Sequence, residues 1–165
     1  MTTTVDEKIK EKIGPALGKI VSGVYIVTVG KDSARDGMLA TWIVQAGFNP
    51  PLITVAIQKD RAIYSALSEG AEFGVNVLSK ENMDIFKNFA KPHEDGIDRF
   101  EGLDLIEEID GPPAFKNAVS YLKCRVKEIL TASDHDLVLG EVVDARLIKE
   151  SGDPMFHTRK NGFQY

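Results

Sequence analysis

The sequence has very little cysteine and tryptophan: its 165 residues include one of each, Cys124 and Trp42. A single cysteine excludes an internal disulfide and a CxxC redox pair, and it is compatible with a reducing compartment. No apolar run reaches about 18 residues, the length that spans a bilayer, and the polar segment TTTVDEKIKEKI lacks a signal-peptide core. We therefore expect a cytoplasmic protein that neither spans a membrane nor is secreted.

An excess of basic residues is also missing from the sequence. The chain has 20 Lys and Arg against 25 Asp and Glu, which gives a formal net charge of −5. Nucleic-acid binding needs clustered cations to neutralise phosphates, so this composition argues against a nucleic-acid partner. A local basic cluster can still bind one small anion. At this length residues 1–165 fit a single domain with its own core.

The hydrophobic pattern that is present is mostly that of β-strands. Because these strands do not alternate with helices as βαβ units do, we predict a mainly β fold, a closed antiparallel barrel or sandwich with a few short helices. Helical spacing is found over 5–13, 61–70 and 80–90. Gly14 and Pro15 are expected to interrupt the first helix, and Leu17 and Ile20 to resume a short one before Gly23. Strands are predicted over 24–30, 38–48, 52–58, 72–78, 118–130 and 137–148, with a short last strand within 155–165.

One basic cluster lies where a strand would give way to a helix, at Lys59-Asp60-Arg61. Free backbone N–H groups and the helix dipole favour an anion at such a place, and the alternative is a solvated group of charges. Arg99, in DGIDRFEG, is either a further phosphate partner or a loop charge. Glycine-rich phosphate loops of the Rossmann or Walker type are missing, so a nucleotide would have to be held in another way.

Acidic residues flank a histidine in Ser133-Asp134-His135-Asp136, a pattern that raises the question of a metal site or an acid–base pair. Alternation along a strand puts Asp134 and Asp136 on one face and His135 on the other, so we predict no metal site. A Ser-His-Asp hydrolase is not favoured, because no GxSxG elbow is present. A solvated turn and a functional histidine remain as alternatives.

Cys124 lies between two cations, Lys123 and Arg125, in a predicted strand. Neighbouring positive charge would lower the pKa of an exposed thiol and make it reactive. Leu122 and Val126 share the face of Cys124, however, and they favour a small buried hydrophobic residue. We therefore expect Cys124 to belong to the core.

Taken in order, several segments resemble the flavin reductase-like family, which has the FMN-binding split-barrel fold. The resemblance covers about residues 14–165, and its specificity lies in the ordered series. It implies an antiparallel Greek-key split β-barrel that binds FMN non-covalently in a groove of a homodimer. The segments are SGVYIVTV, DGMLATWIVQAGFNPPLITVAI, KDRAI, EFGVNVL, IDRF, KCRV, SDHDLVLGEV and HTRKNGFQY.

Three of these segments are especially similar to the C-terminal flavin reductase module of diflavin flavodiiron proteins: ATWIVQAGFNPP, KDRAI and RKNGFQY. Neither the diiron nor the flavodoxin module of those proteins is present in the chain. We therefore expect either a free-standing relative or an excised module.

The resemblance also implies a set of site residues. Thr41 and Gln45 match positions where hydroxyl or amide groups meet the flavin, whose pyrimidine edge needs hydrogen-bond partners. Trp42 departs from the usual Ser or Thr, and three roles stay open for it: ring partner, dimer contact or core residue. His135 is implied as the catalytic residue, near the flavin and the incoming nicotinamide. The implied cofactor-binding residues are Ala40, Thr41, Trp42, Gln45, Ala46, Lys59, Asp60, Arg61, Ala62, Asn76 and Arg99, with Lys59, Arg61 and Arg99 near the phosphate.

The activity that the resemblance implies is an NAD(P)H:flavin oxidoreductase. Hydride would pass from NADH or NADPH to N5 of FMN, and electrons would then go to an acceptor, including a possible acceptor protein. An alternative is an FMN-binding electron-transfer module without its own pyridine nucleotide site. A third interpretation is a barrel that has lost flavin and acts in assembly.

Overall fold

An antiparallel sheet of seven strands dominates a computed structural model that describes residues 5–165. Residues 1–4 of the predicted domain lie outside the described residues. Short 3₁₀ turns cover Asp32–Ala34 and Ala62–Ala66. The helices and strands are α1 (Glu7–Leu17), β1 (Ser22–Gly23), β2 (Tyr25–Val29), β3 (Asp36–Ala40), β4 (Ile43–Phe48), β5 (Pro51–Gln58), β6 (Glu72–Val77), α2 (Met83–Ala90), β7 (Ser120–Thr131), β8 (His135–Leu147) and β9 (Phe156–His157).

The order of strands in the large sheet is β3-β2-β6-β7-β8-β5-β4, and β1 pairs separately with β9. All pairs are antiparallel, so the prediction of a mainly β antiparallel fold with few short helices is confirmed. Within residues 5–165 the two edge strands, β3 and β4, do not pair with each other. The sheet is therefore open between them, as in a split rather than a closed barrel.

The prediction of one continuous strand over 38–48 is wrong. The chain leaves the ladder at Thr41 and Trp42, so that β3 pairs with β2 at one edge and β4 pairs with β5 at the other. The carbonyl oxygen of Trp42 accepts a hydrogen bond of 3.0 Å from the backbone N–H of Ala56 in β5. Thr41 and Trp42 thus form the link between the two edges of the open sheet.

The helices also differ from their predicted bounds. α1 continues through Gly14 and Pro15 to Leu17, and the backbone N–H of Gly18 donates to the carbonyl of Gly14 at 3.0 Å. Proline removes one backbone donor, and this short exposed helix tolerates that loss. The predicted helix over 61–70 is only a 3₁₀ turn, and α2 begins at Met83 rather than at residue 80. No helix within residues 5–165 is long and apolar enough to cross a bilayer.

Two apolar clusters form most of the core. In β5, Ile53, Val55 and Ile57 alternate with more exposed residues and point into the first cluster, which also contains Phe73 and Cys124. Burial raises the pKa of the Cys124 thiol to about 12, so this residue is a buried hydrophobic group rather than a nucleophile. The second cluster lies under α2 and contains the contacting rings of Phe89, Phe100 and Phe115.

Candidate functional site

A cavity of about 510 Å³ lies beside edge strand β3, between the segment that follows β5 and helix α2. Its size falls within the range of about 300–1,000 Å³ that is usual for ligand sites. Apolar side chains of α2 and of the 3₁₀ turn, among them Phe86, Phe89 and Ile63, form much of its wall. Six of the predicted site residues line it: Ala40, Thr41, Trp42, Arg61, Ala62 and Arg99.

The polar residues of this cavity are predominantly basic. Two arginines, one lysine and two histidines line it, whereas no Asp or Glu does among the described residues. This composition contrasts with the whole chain, whose formal net charge is −5. Three of these residues, Arg61, Lys91 and Arg99, are cations at neutral pH, and cations grouped in a concave, partly apolar site attract anions. The basic lining residues are Arg61, Lys91, His93, Arg99 and His157.

Arg99 is held firmly at the β3 side of the cavity. Its side chain is only 10% exposed, and its guanidinium donates to the carboxylate of Asp36 at 3.1 Å and to the backbone oxygen of Gly37. The Arg99 Cζ atom also lies 5.2 Å from the centre of the Phe89 ring, a cation–π distance. Arg99 is therefore an ordered cation on the cavity wall and not a freely exposed loop charge.

Lys59 lies outside the cavity, because a buried carboxylate pairs with it. The Lys59 Nζ atom is 3.2 Å from the carboxylate of Asp136, which also accepts a hydrogen bond from the hydroxyl of Tyr64. The Tyr64 hydrogen bond, followed by that of Lys59, holds the pKa of the Asp136 carboxyl below its ordinary value. Asp60 is exposed and does not line the cavity. Of the cations in Lys59-Asp60-Arg61, Arg61 is the one that the fold brings to the cavity.

Asn76 is fully buried and does not reach the cavity either. Its amide nitrogen donates to the carbonyl of Pro113 at 3.1 Å, and its amide oxygen accepts from the backbone N–H of Phe115 at 2.9 Å. These bonds fasten β6 to the loop that precedes β7. They satisfy the polar groups of Asn76 within the core, as a buried amide requires.

Gln45 and Ala46 lie on the exposed edge strand β4, away from the cavity of the single chain. The Gln45 amide donates to the backbone oxygen of Gly47 at 3.3 Å. Two large apolar residues of the same strand are strongly exposed, Val44 at 64% and Phe48 at 89%. This edge is therefore an unpaired and apolar surface in the described chain.

His135 is placed just behind the cavity rather than in its wall. Its side chain is 11% exposed, and its Nδ1 atom is 3.1 Å from the carboxylate of Asp134. The His135 Nε2 atom is 2.5 Å from the hydroxyl of Tyr165, which does line the cavity. Hydrogen bonds from His135 and Ser133 hold the pKa of Asp134 below its ordinary value. Within residues 5–165 no group of three or more His, Cys, Asp or Glu side chains is placed to hold a metal.

Trp42 joins these groups into an aromatic cluster. Its ring centre is 4.9 Å from that of His135 and 5.7 Å from that of Tyr165, while the Arg159 Cζ atom lies 5.1 Å from it. Trp42 is half-buried and lines the cavity. Of the three roles left open for it, a place in the interior core is the one that this position disfavours.

Sequence reasoning missed five polar residues of the cavity: Gln58, Lys91, His93, His157 and Tyr165. Lys91 and His93 follow α2 in a segment that is typical of a polar loop, and no spacing relates them to Arg61 or Arg99. Tyr165 ends the segment RKNGFQY, whose resemblance to the family was the only available signal. Lys91 and His93 reach the cavity because α2 packs against β3, whereas His157 and Tyr165 reach it because β9 and the following segment fold back toward β3.

The fold and the site together define a class of protein: an open antiparallel β fold with a basic, aromatic cavity beside one edge of the sheet. A model of the flavin reductase like domain matches residues 17–164. Diflavin flavoprotein A 1 from Synechocystis sp. is 40% identical over 151 residues, which are 91% of the chain but 26% of that relative. The chain therefore spans about a quarter of that relative's length.

Solved structures give the same result. The Streptomyces globisporus C-1027 NADH:FAD oxidoreductase SgcE6 aligns with a TM-score of 0.81 at 29% identity, over 96% of the chain and 93% of that protein. The flavin reductase PheA2 aligns with a TM-score of 0.74 at 28% identity, over 93% and 94% respectively. The chain belongs to the flavin reductase-like family, and the prediction of the split-barrel fold class is confirmed.

Proposed function

We propose that this chain is an NAD(P)H-dependent flavin reductase that binds FMN non-covalently in the basic cavity. The observation that carries the proposal is the cavity itself: among residues 5–165 its wall has three cations, two histidines and no acidic residue, in a chain of net charge −5. FMN combines a planar apolar ring system with a phosphate, and the cavity offers an apolar wall together with cations. The fit is therefore one of charge and of shape.

The phosphate would lie between Arg61 and Arg99, since a guanidinium can donate two parallel hydrogen bonds to phosphate oxygens. The Thr41 hydroxyl and the backbone groups of Ala40 and Trp42 would meet the polar edge of the ring. Phe86 and Phe89 would keep water from its apolar face. When bound, FMN supplies the redox chemistry by accepting a hydride, and the protein supplies position and electrostatics.

The hydride donor in this proposal is NADH or NADPH. Support comes from SgcE6, which is an NADH:FAD oxidoreductase and has also been solved in complex with NAD and FAD fragments. Reduced flavin would then leave for a partner or pass electrons to an acceptor protein. These finer assignments, including the choice of FMN over FAD, belong to the proposal.

A homodimer is part of the same proposal. Val44 and Phe48 are strongly exposed on edge strand β4, and the predicted contacts Gln45 and Ala46 belong to this strand. If a second copy of the chain covers this edge, Gln45 and Ala46 would contact the ligand that is bound in the cavity of that second copy. Light scattering of the purified chain should then give about twice the monomer mass of 18.2 kDa.

The decisive experiment is an anaerobic titration of the purified chain with FMN, followed by NADH and by NADPH in separate samples. We expect flavin absorbance to bleach at the rate of nicotinamide loss, well above the rate of a protein-free mixture. Flavin that binds but stays oxidised until dithionite is added would replace the reductase with the electron-transfer module. A chain that binds no FMN would overturn both and favour the assembly role.

A further inference from the structure

Tyr165 is the group through which the Asp134–His135 pair meets the cavity. His135 does not line the cavity, whereas Tyr165 does, and its hydroxyl is 2.5 Å from the His135 Nε2 atom. The ordinary pKa of a tyrosine is near 10 and partial desolvation of the Tyr165 hydroxyl raises it further, so this group keeps its proton at neutral pH. The hydroxyl is therefore a stable hydrogen-bonding group at the cavity wall.

The direction of these hydrogen bonds follows from the partner of Nδ1. The Asp134 carboxylate, 3.1 Å from Nδ1, can only accept, so Nδ1 of a neutral His135 carries the proton. Nε2 then has a free lone pair and accepts the proton of the Tyr165 hydroxyl. The Tyr165 oxygen also interacts with the Arg61 guanidinium, which acts to lower the pKa of Tyr165. A phenolic oxygen has two acceptor positions, so one stays available to an N–H donor in the cavity.

The fold holds Tyr165 in place through helix α1. The segment that ends in Tyr165 docks on α1, where the backbone N–H of Arg159 donates to the carbonyl of Gly18 at 3.2 Å and that of Gly162 donates to Gly14 at 2.7 Å. A Cβ atom on Gly18 would lie 2.5 Å from the Arg159 carbonyl oxygen, so the close approach depends on glycine there. Tyr165 is thus placed by a packed segment rather than by a free one.

Two further side chains, those of Trp42 and Arg61, lie beside the Tyr165 ring. Its ring centre lies 5.7 Å from that of Trp42, and the Arg61 Cζ atom lies 6.0 Å from it. Both of these residues line the cavity, so the Tyr165 hydroxyl belongs to the same wall as the proposed flavin contacts. The residue as a whole is exposed, and a ligand can therefore reach it.

We propose that the Tyr165 oxygen, oriented by His135 and Asp134, accepts a hydrogen bond from an N–H group of a planar ring bound in the cavity. The proposal rests on the proposed function, whose two ligands share this chemistry. The flavin pyrimidine edge presents an imide N–H, and reduced nicotinamide presents a carboxamide NH₂. Tyr165 is a binding residue in either case, and His135 is a positioning residue behind it.

The test compares Tyr165→Phe with Phe163→Leu, a change at an exposed aromatic residue of the same segment that does not line the cavity. Fluorescence titrations measure the Kd of FMN and of NADH without requiring turnover. Loss of one hydrogen bond should weaken one of these ligands roughly two- to tenfold in Tyr165→Phe. A change confined to FMN identifies the pyrimidine edge, and one confined to NADH identifies the carboxamide.

A second readout follows His135 in the ligand-free protein. Nitrogen NMR should report Nδ1 as the protonated nitrogen, and Tyr165→Phe should move the Nε2 resonance of His135 while His93 and His157 stay unchanged. The proposal is overturned if Tyr165→Phe leaves both Kd values unaffected, even where the Nε2 resonance moves, or if Phe163→Leu reproduces the changes. A wild type that binds FMN but does not turn over would refute the reductase and leave these binding results to decide the role of Tyr165.

Discussion

The two arginines of the cavity lie in opposite surroundings. Arg99 is 10% exposed, bonded to Asp36 and Gly37 and covered by Phe89, whereas Arg61 is exposed at the end of a strand. A charge in a dry, ordered place interacts more strongly with an anion than one that water screens. The difference teaches that two cations on one cavity wall need not contribute equally to binding a phosphate.

Removing the ordered cation should have the largest effect. We expect Arg99→Ala to weaken FMN binding by roughly ten- to a hundredfold, since hydrogen bonds to a charged group contribute about 1.5–3 kcal/mol. Isothermal titration calorimetry would measure the change. Arg99→Lys keeps the charge but loses the two-pronged geometry, so it should recover only part of the affinity. An Arg99→Ala variant that binds FMN like the wild type would place the phosphate elsewhere.

Breaking the ion pair between Lys59 and Asp136 should have a smaller effect, and this effect should be on the stability of the fold. Asp136 is almost fully buried and bonded to Lys59 and Tyr64, so Asp136→Asn should lower the free energy of unfolding by about 1–2 kcal/mol at pH 7. Urea denaturation would measure the loss, and Asp60→Asn, at an exposed neighbour, is the control that should change little.

The stability loss in Asp136→Asn should depend on pH. The folded pKa of Asp136 lies below its ordinary value of 3.8, so the carboxylate stabilises the fold above that value. This contribution is lost as pH falls through the folded pKa. The difference in unfolding free energy between wild type and Asp136→Asn should therefore shrink below about pH 4. An equal difference at pH 7 and at pH 3 would contradict the assignment.

The exposed cation should have the smallest effect. Arg61→Gln should weaken FMN binding by less than about fivefold, and the loss should fade as salt rises, because exposed charges are screened. Lys59→Gln is the matched control: it removes the same charge two residues away, from a side chain that does not line the cavity. Titrations at low and high salt would compare the two. Equal losses of FMN affinity in the two variants would show that the ligand responds to the overall electrostatic field and not to Arg61 in particular.

Local patterns predicted much of the fold because they depend on near neighbours. The alternation of Ile53, Val55 and Ile57 reports one buried strand face, and the apolar neighbours of Cys124 report its burial. The break at Thr41 and Trp42 was invisible because both flanking segments suit a strand. The break exists because β3 pairs with β2 at one edge of the sheet and β4 pairs with β5 at the other.

The sequence by itself determined the class of protein: an antiparallel β fold without metal-ligand spacing, and an ordered series of segments that resembles one family. The basic cluster at a strand end indicated Arg61 as an anion partner, whereas Arg99 was implied near the phosphate only by the family resemblance. Only the tertiary structure decided that Lys59 pairs with Asp136, that Asn76 belongs to the core and that Tyr165 stands between His135 and the cavity. Such contacts join residues far apart in the chain, and their partners are set by packing rather than by spacing.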